Sequence, residues 1–301
     1  MPKKKQPARA IFASDIHLTH KPPGFRSEEP DWYETMRRQL RDLCKLQERL
    51  DVPVIIAGDI FHHWKQVPEL INFAIQEMPK CYGIPGQHDL PNHSYEDIER
   101  SAYWTLVEAG ILHHLEPDAP VQTDELELFG FPWGFDPEPC LSDSELIKIA
   151  VVHKYCWVGK YKYPQAPLAN QLSQFKLSGY AAAVFGDNHI GWVSKNVCNC
   201  GGFFRMTKAD LDRQPFVGVL MEDGSIQKHI LDTSNDIYSS SSDNITTAGP
   251  IDLGGFTEGL LELRNSEELD FAKVVRRYCA ENEVSPSTRT IILDTIDEEC
   301  E

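Results

Sequence analysis

A chain of 301 residues can bury one large core and carry an appendage, and its net charge of −17 argues against holding nucleic acid by surface charge alone. Apolar residues make up 41% and charged residues 25%, the balance of an ordinary globular protein. No apolar run nears the ~20 residues that a membrane span requires. Met1-Pro2-Lys3-Lys4-Lys5 is basic with no apolar region behind it, so residues 1–9 read as a solvated tail and not as a secretory signal. The eight cysteines are scattered, and Cys198-x-Cys200 lacks a second ligand pair for a four-coordinate zinc. Reduced thiols in a cytoplasmic protein with no membrane contact are expected.

Taken in order, Ala10-Ile11-Phe12-Ala13-Ser14 is a short apolar strand that delivers Asp15-Ile16-His17. Residues 18–33, rich in proline, glycine and charge, form a loop. Tyr33, Met36, Leu40, Leu43 and Leu46 recur at helical spacing and predict a helix over 32–50, with Arg37, Arg38, Arg41 and Lys45 on its other face. Val54-Ile55-Ile56-Ala57 is an unbroken apolar run and reads as a buried strand. Gly58 can take a turn conformation there, which holds Asp59 at the strand's carboxyl end. A helix follows over 68–78, and 81–85 leads into Gly86-Gln87-His88-Asp89. The pattern over 95–109 predicts a helix ended by Gly110.

Leu126-Glu127-Leu128-Phe129-Gly130 alternates as a strand does. Leu146-Ile147-Lys148-Ile149-Ala150-Val151-Val152 is a buried strand that delivers His153. Ala181-Ala182-Ala183-Val184-Phe185 delivers Gly186-Asp187-Asn188-His189, and further strands run from Gly201-Gly202 to 231. Residues 233–256 have a polar linker composition. Residues 257–301 read as an acidic helical segment, with helices expected near 266–281 and 287–297. The stretch 247–301 holds 13 Asp and Glu against 5 Lys and Arg.

Five strand ends therefore carry Asp15 and His17, Asp59, Gln87 and His88, His153, and Asp187 and His189. Carboxylate, imidazole and amide donors suit borderline-to-hard divalent cations such as manganese, and do not suit thiolate-selective sites. Singly, each is an ordinary strand-end aspartate or a satisfied core histidine. Five in succession, each after an apolar strand, point to one site.

The ordered motifs Asp15-Ile16-His17, Gly58-Asp59-Ile60-Phe61, Gly86-Gln87-His88-Asp89, His153 and Gly186-Asp187-Asn188-His189 resemble those of the calcineurin-like metallophosphoesterases. The resemblance spans 10–231 and implies a catalytic domain over 10–232. The fold class it implies is α/β, a four-layer α-β-β-α metallophosphoesterase sandwich, here with a short C-terminal helical appendage. It implies two divalent metal ions: Asp15, His17 and His189 on the first, Gln87, His153 and Asp187 on the second, and Asp59 bridging both. Two positions depart from the family pattern. Gln87 stands where Asn is usual, and Asp187 stands where the first His of the last motif is usual.

Within the family, the stretches Ala57-Gly58-Asp59-Ile60-Phe61-His62 and Gly86-Gln87-His88-Asp89-Leu90-Pro91-Asn92-His93-Ser94 resemble the SbcD-type, Rad50-associated DNA repair nuclease subunit. Gly201-Gly202-Phe203-Phe204-Arg205 also sits where those nucleases carry a Gly-Ser-rich strand connection. The resemblance implies DNA as substrate, an SbcC/Rad50-like ATPase as partner, and homodimerisation as a further arrangement. Two metals would clamp a phosphodiester and acidify a water that attacks phosphorus in line. His88 would protonate the leaving oxygen, Asp89 would orient His88, and His62 would lie near the scissile phosphate. His63, His93, His113 and His114 are expected to be structural or surface residues. A phosphodiesterase or phosphatase acting on a small nucleotide, and a degenerate non-catalytic partner-binding subunit, are the alternatives.

Overall fold

Apolar alternation divides each central strand between two faces. The structure is a computed structural model and describes residues 8–239. In β1 (Ala8–Ala13), Ala10 and Phe12 face one way and Ile11 and Ala13 the other, all fully buried. Helix α1 (Trp32–Leu50) starts at Asp31, whose carboxylate accepts the Glu34 N–H, and lays Met36, Leu40 and Leu43 over the Ile11 and Ala13 face. Strand β2 (Val54–Ala57) repeats the division, with Val54 and Ile56 toward α1 and Ile55 and Ala57 toward the opposite face. A strand buried on both faces has no polar position, which is why these runs are continuously apolar.

Helix α2 (Pro68–Glu77), strand β3 (Cys81–Ile84), helix α3 (Ala102–Glu108) and strand β4 (Leu112–His114) complete the parallel half of the first sheet. The helix expected over 95–109 is two pieces. A 3-10 stretch, Tyr95–Arg100, stops at Ser101, whose extended backbone breaks the run and whose hydroxyl caps α3 by accepting the Trp104 N–H.

The second sheet holds β5 (Val121–Gln122), β6 (Leu126–Phe131), β7 (Ile147–His153), β8 (Ala182–Gly186), β9 (Trp192–Ser194) and β10 (Val197–Asn199), in the order β5-β6-β7-β8-β10-β9. Strands β11 (Phe216–Met221) and β12 (Ile226–Ile230) return to the first sheet, giving β12-β11-β1-β2-β3-β4. The two inner faces meet through Phe12, Ile55, Ile84, Leu128, Ile149, Val151 and Val184. Helices cover the outer face of the first sheet. On the second, Ala150, Val152, Ala183 and Phe185 lie under the 3-10 turns Leu168–Asn170 and Leu172–Gln174 and the loop around them. The four layers are those expected. Because β1, β2, β3, β7 and β8 run parallel within their sheets, their carboxyl ends gather along one edge.

Loop 18–31 hides a fully buried Arg26. It pairs with Glu29 and Asp236, donates from Nε to the Ile237 carbonyl at 2.9 Å, and lies 5.4 Å from the Trp32 ring and 5.2 Å from the Tyr238 ring. Asp236, Ile237 and Tyr238 are thereby held against the domain. The remainder of the expected linker, the two C-terminal helices and residues 1–7 lie outside the described residues. Among the described residues, no helix is long and apolar enough to cross a membrane.

Arg26→Ala leaves Glu29 buried without its cation and Asp236 with Arg38 alone, so it is expected to cost about 3–5 kcal/mol. Urea unfolding measures this, and an unchanged midpoint would show that the cluster adds nothing.

Candidate metal centre

Strand ends can aim side chains at one point only if the backbone leaves the extended conformation. Asp15, His17, Asp59 and Asp187 all adopt positive φ, at 50°, 51°, 53° and 74°. Glycines clear the space between them. Gly86 lies so close to Asp59 that a Cβ there would stand 2.1 Å from Asp59 Oδ1, and a Cβ on Gly58 would stand 2.1 Å from His153 Nδ1.

Asp59 lies at the middle. Its Oδ1 accepts the His88 N–H at 3.0 Å. Its Oδ2 is buried without a hydrogen-bond partner, 3.6 Å from His17 Nε2 and 3.5 Å from His153 Nε2. On one side, His17 Nε2 and His189 Nε2 approach to 3.1 Å, and Asp15 Oδ1 lies 3.9 Å from His189 Nε2. On the other, His153 Nε2 is 2.7 Å from Gln87 Oε1, and Gln87 Nε2 donates to Asp187 Oδ1 at 2.9 Å. His153 donates from Nδ1 to the Ala57 carbonyl at 2.7 Å, which directs Nε2 into the site. The ends of both sheets thus contribute to a single cluster.

The donors fit divalent cations. Asp15, His17 and His189 form one group of converging ligand atoms, Asp15, Asp59 and His153 a second, and His17, His62 and His88 a third. Asp15 Oδ2, like Asp59 Oδ2, is a buried carboxylate oxygen without a hydrogen-bond partner. A buried anionic oxygen with no donor is costly, and a cation removes the cost. Burial raises the Asp15 carboxyl above its ordinary pKa, and burial holds the His17 imidazole well below its own, in the neutral form that ligates. Burial also opposes charge on Asp59, but His153 and His17 hold that carboxyl below the usual range.

Gln87 and Asp187, the two departures from the family pattern, touch each other. Asp187 joins neither carboxylate–imidazole group among the described residues. It reaches the His153 side through the Gln87 amide, and its own N–H donates to Asp15 Oδ1 at 2.9 Å. The longer glutamine arm is what spans to the shorter aspartate.

His62 and His88 stack at 5.5 Å between ring centroids, and both lie within 5.4 Å of the His17 ring. The orienting role expected of Asp89 falls to another group. Asp89 is fully buried and accepts the N–H groups of Phe61, Ile60 and Gly86 at 2.9, 3.1 and 3.0 Å, so it ties the Asp59 loop to the Gln87 loop. His88 Nδ1 lies instead 2.8 Å from the His62 carbonyl oxygen, which leaves Nε2 to the site. Burial, and then Asp59, push the Asp89 carboxyl up to about 7.

Residues to which the sequence assigned no role support the ligands. Buried Asn188 donates to the carbonyls of Cys156 and Tyr161 and accepts the Ile190 N–H. Phe203 N–H donates to the Asp15 carbonyl, so the Gly201-Gly202-Phe203 stretch braces the first ligand loop. Of the histidines expected to be structural, His114 is buried between the Tyr95 and Tyr103 hydroxyls. A cavity of about 940 Å3 opens beside Asp15, His17, His62 and His189, and runs past Tyr161 toward Phe204, Met206 and Arg213.

The profile of the calcineurin-like phosphoesterases matches residues 8–191. The chain belongs to that family. Similar solved structures include the calcineurin-like phosphoesterase YfkN from Bacillus subtilis, at 13% identity over 76% of this chain and 92% of that one, with a TM-score of 0.43. A metallophosphoesterase from Sphaerobacter thermophilus, at 13% identity, covers 76% of this chain and 91% of its own, with a TM-score of 0.33. Pseudomonas putida nuclease MPE, at 13% identity, covers 74% and 88%, with a TM-score of 0.33. No curated protein shows significant similarity to the chain. The phosphoesterase fold and its His and Asp clusters make this a metal-dependent hydrolase capable of phosphodiester cleavage.

Two outcomes follow for this phosphoesterase centre. Divalent metal at a hundredfold excess over its Kd should stabilise the wild type by about 2.7 kcal/mol per site, seen as a rise in melting temperature. Asp59→Asn should abolish most of that rise, and an undiminished rise would remove Asp59 from the centre. Gln87→Ala and Asp187→Ala should each weaken uptake of the second ion, and the double variant should be no worse than either. Additive losses in titration calorimetry would show that the pair does not act as a unit.

Proposed function

We propose that the protein is a phosphodiesterase of the DNA nuclease type, with two divalent ions, manganese favoured, held by Asp15, His17, His189, Asp59, His153 and the Gln87–Asp187 pair. The observation that carries this reading is the stacked His62–His88 pair facing the metal-binding cluster. When bound, the metals supply Lewis-acid polarisation of the phosphoryl group and an acidified water. The chain's own residues supply the rest. His88, aligned by the His62 carbonyl, offers Nε2 to the leaving oxygen as a proton donor. His62, beside it, orients the phosphoryl oxygens.

A diester carries one negative charge and a phosphomonoester nearly two. The cations lining the cavity are Arg213 and Lys228. Arg213 is bonded to Asp210 and to the carbonyls of Gly202 and Phe204, and Lys228 lies 4.1 Å from the Phe216 ring. A lining whose arginine is already paired, with Asp210 and Asp212 beside it, favours the less charged ester. Its apolar walls, Phe204, Met206 and Ile190, favour a base or sugar beside the phosphate. Cleavage of a small cyclic or dinucleotide is the second reading, favoured by the cavity's acidic Asp210 and Asp212.

With manganese, wild type should hydrolyse bis-p-nitrophenyl phosphate and single-stranded DNA, and should be slower with magnesium, which dehydrates reluctantly. His88→Ala should lower turnover by about 10²–10⁴-fold, the usual share of a general acid, with metal uptake retained. Full activity after exhaustive chelation would overturn the metal-dependent reading. Cleavage of cyclic nucleotides but of no DNA would favour the second.

A further inference from the structure

The loop after β7 departs from the acidic balance of the chain. From 146 to 186 there are five lysines and no Asp or Glu, in a protein of net charge −17. Within it, residues 154–163 contain three lysines, three tyrosines and Trp157. Trp157 is buried and anchored, donating from Nε1 to the Pro167 carbonyl at 3.0 Å. Lys162 Nζ lies over its ring at 4.1 Å. Tyr155 and Tyr163 pack at 4.8 Å between centroids, and the Tyr155 hydroxyl accepts the Tyr163 N–H at 3.0 Å. Tyr161 is 37% exposed and Tyr163 46%, so two rings are shown to solvent, that of Tyr163 packed on Tyr155.

Position ties this strip to the metal centre. His153, a candidate ligand, immediately precedes it. Tyr161 lines the same cavity as Asp15, His17 and His189. Asn188, between Asp187 and His189, donates to the Tyr161 carbonyl at 3.1 Å and to that of Cys156 at 2.8 Å. Lys154 is paired with Asp136, whereas the contacts of Lys160 and Lys162 are with the rings of Tyr161 and Trp157.

We propose that residues 154–163 form a binding strip for single-stranded DNA leading out of the metal centre. One base stacks on Tyr161 and the next on Tyr163, while Lys160 and Lys162 meet the intervening phosphates. Every base has a π-face, so such a strip holds a strand with little regard to sequence. The inference rests on the phosphodiesterase reading and adds the substrate's form, a strand of several nucleotides.

The test is fluorescence anisotropy of an end-labelled oligothymidylate about ten nucleotides long. It is run with manganese on the His88→Ala background, and again with chelator so that the strand stays whole. Tyr161→Ala and Tyr163→Ala should each weaken binding roughly tenfold, the scale of one lost base stack, and Tyr161→Phe should restore it. Lys160→Gln and Lys162→Gln should each flatten the slope of log K against log salt by about 0.7. Melting temperature checks the fold, and the exposed Tyr163 and Lys160 keep the test open should Tyr161→Ala unfold. Parent affinity in folded Tyr161→Ala and Tyr163→Ala would overturn the strip. So would equal competition by thymidine monophosphate, which would mean a single-nucleotide pocket. A wild type that cleaves bis-p-nitrophenyl phosphate but binds no strand would refute the strip and leave the phosphodiesterase reading intact. Tyrosine-dependent strand binding without hydrolysis of any diester would do the reverse.

Discussion

A fully buried carboxylate, Asp59, stands where the two sheets meet, and much of the site is arranged around making its burial tolerable. One oxygen is satisfied by the His88 N–H, and the other lies between two imidazoles from different sheets. His153 comes from the second sheet and bonds the Ala57 carbonyl of the first, so the same residue faces Asp59 and joins the layers. Gly86 gives Asp59 room, and Asp89 fixes the two loops on either side of it. Metal binding at this point is inseparable from the stability of the sandwich edge, since the orphaned carboxylate oxygens are exposed to each other's charge until a cation arrives.

The positive-φ backbone at Asp15, His17, Asp59 and Asp187 follows from the same geometry. On an extended strand, Asp15 and His17 would share a face but lie two residues apart along it, and neither would point over the strand's end. Bending the chain there brings both to one locus. Left-handed conformations at non-glycine residues cost on the order of 1–3 kcal/mol each. The deeply buried β-strands on both sides supply the restraint that keeps them.

Much of this was legible in the sequence because it is written locally. An apolar run followed by Asp, His or Gln announces a buried strand and what it delivers, and residues 10–17, 54–59 and 147–153 do so. The rest is decided by partners distant in the chain. Asp89 looks like a neighbour's helper beside His88, but its oxygens go to backbone N–H groups of Ile60 and Phe61, nearly thirty residues earlier. The Gln87–Asp187 bond spans a hundred residues, so the two departures appear independent until the fold joins them. Ser101 reads as one more helical position, and only its extended backbone and hydroxyl cap reveal a break. Arg26 sits in a Pro- and Gly-rich loop where a solvated arginine is the ordinary expectation, and its burial depends on Asp236, which is 210 residues away.

Charge, finally, connects the chain's overall acidity to its chemistry. A polyanion approaching a protein of net charge −17 meets repulsion over most of the surface, screened beyond a Debye length of about 8 Å at physiological salt. The acid-free loop 154–181 interrupts that surface at the edge where the metal-binding side chains gather. Local field, and not net charge, then sets the direction of approach. The run emerges from β7 directly after His153 and is tied through Asn188 to the loop carrying Asp187 and His189. A strand drawn along these lysines and tyrosines would arrive with its phosphate beside both halves of the metal centre. Capture and cleavage would then depend on one continuous stretch of backbone, and a shift in either would be felt by the other.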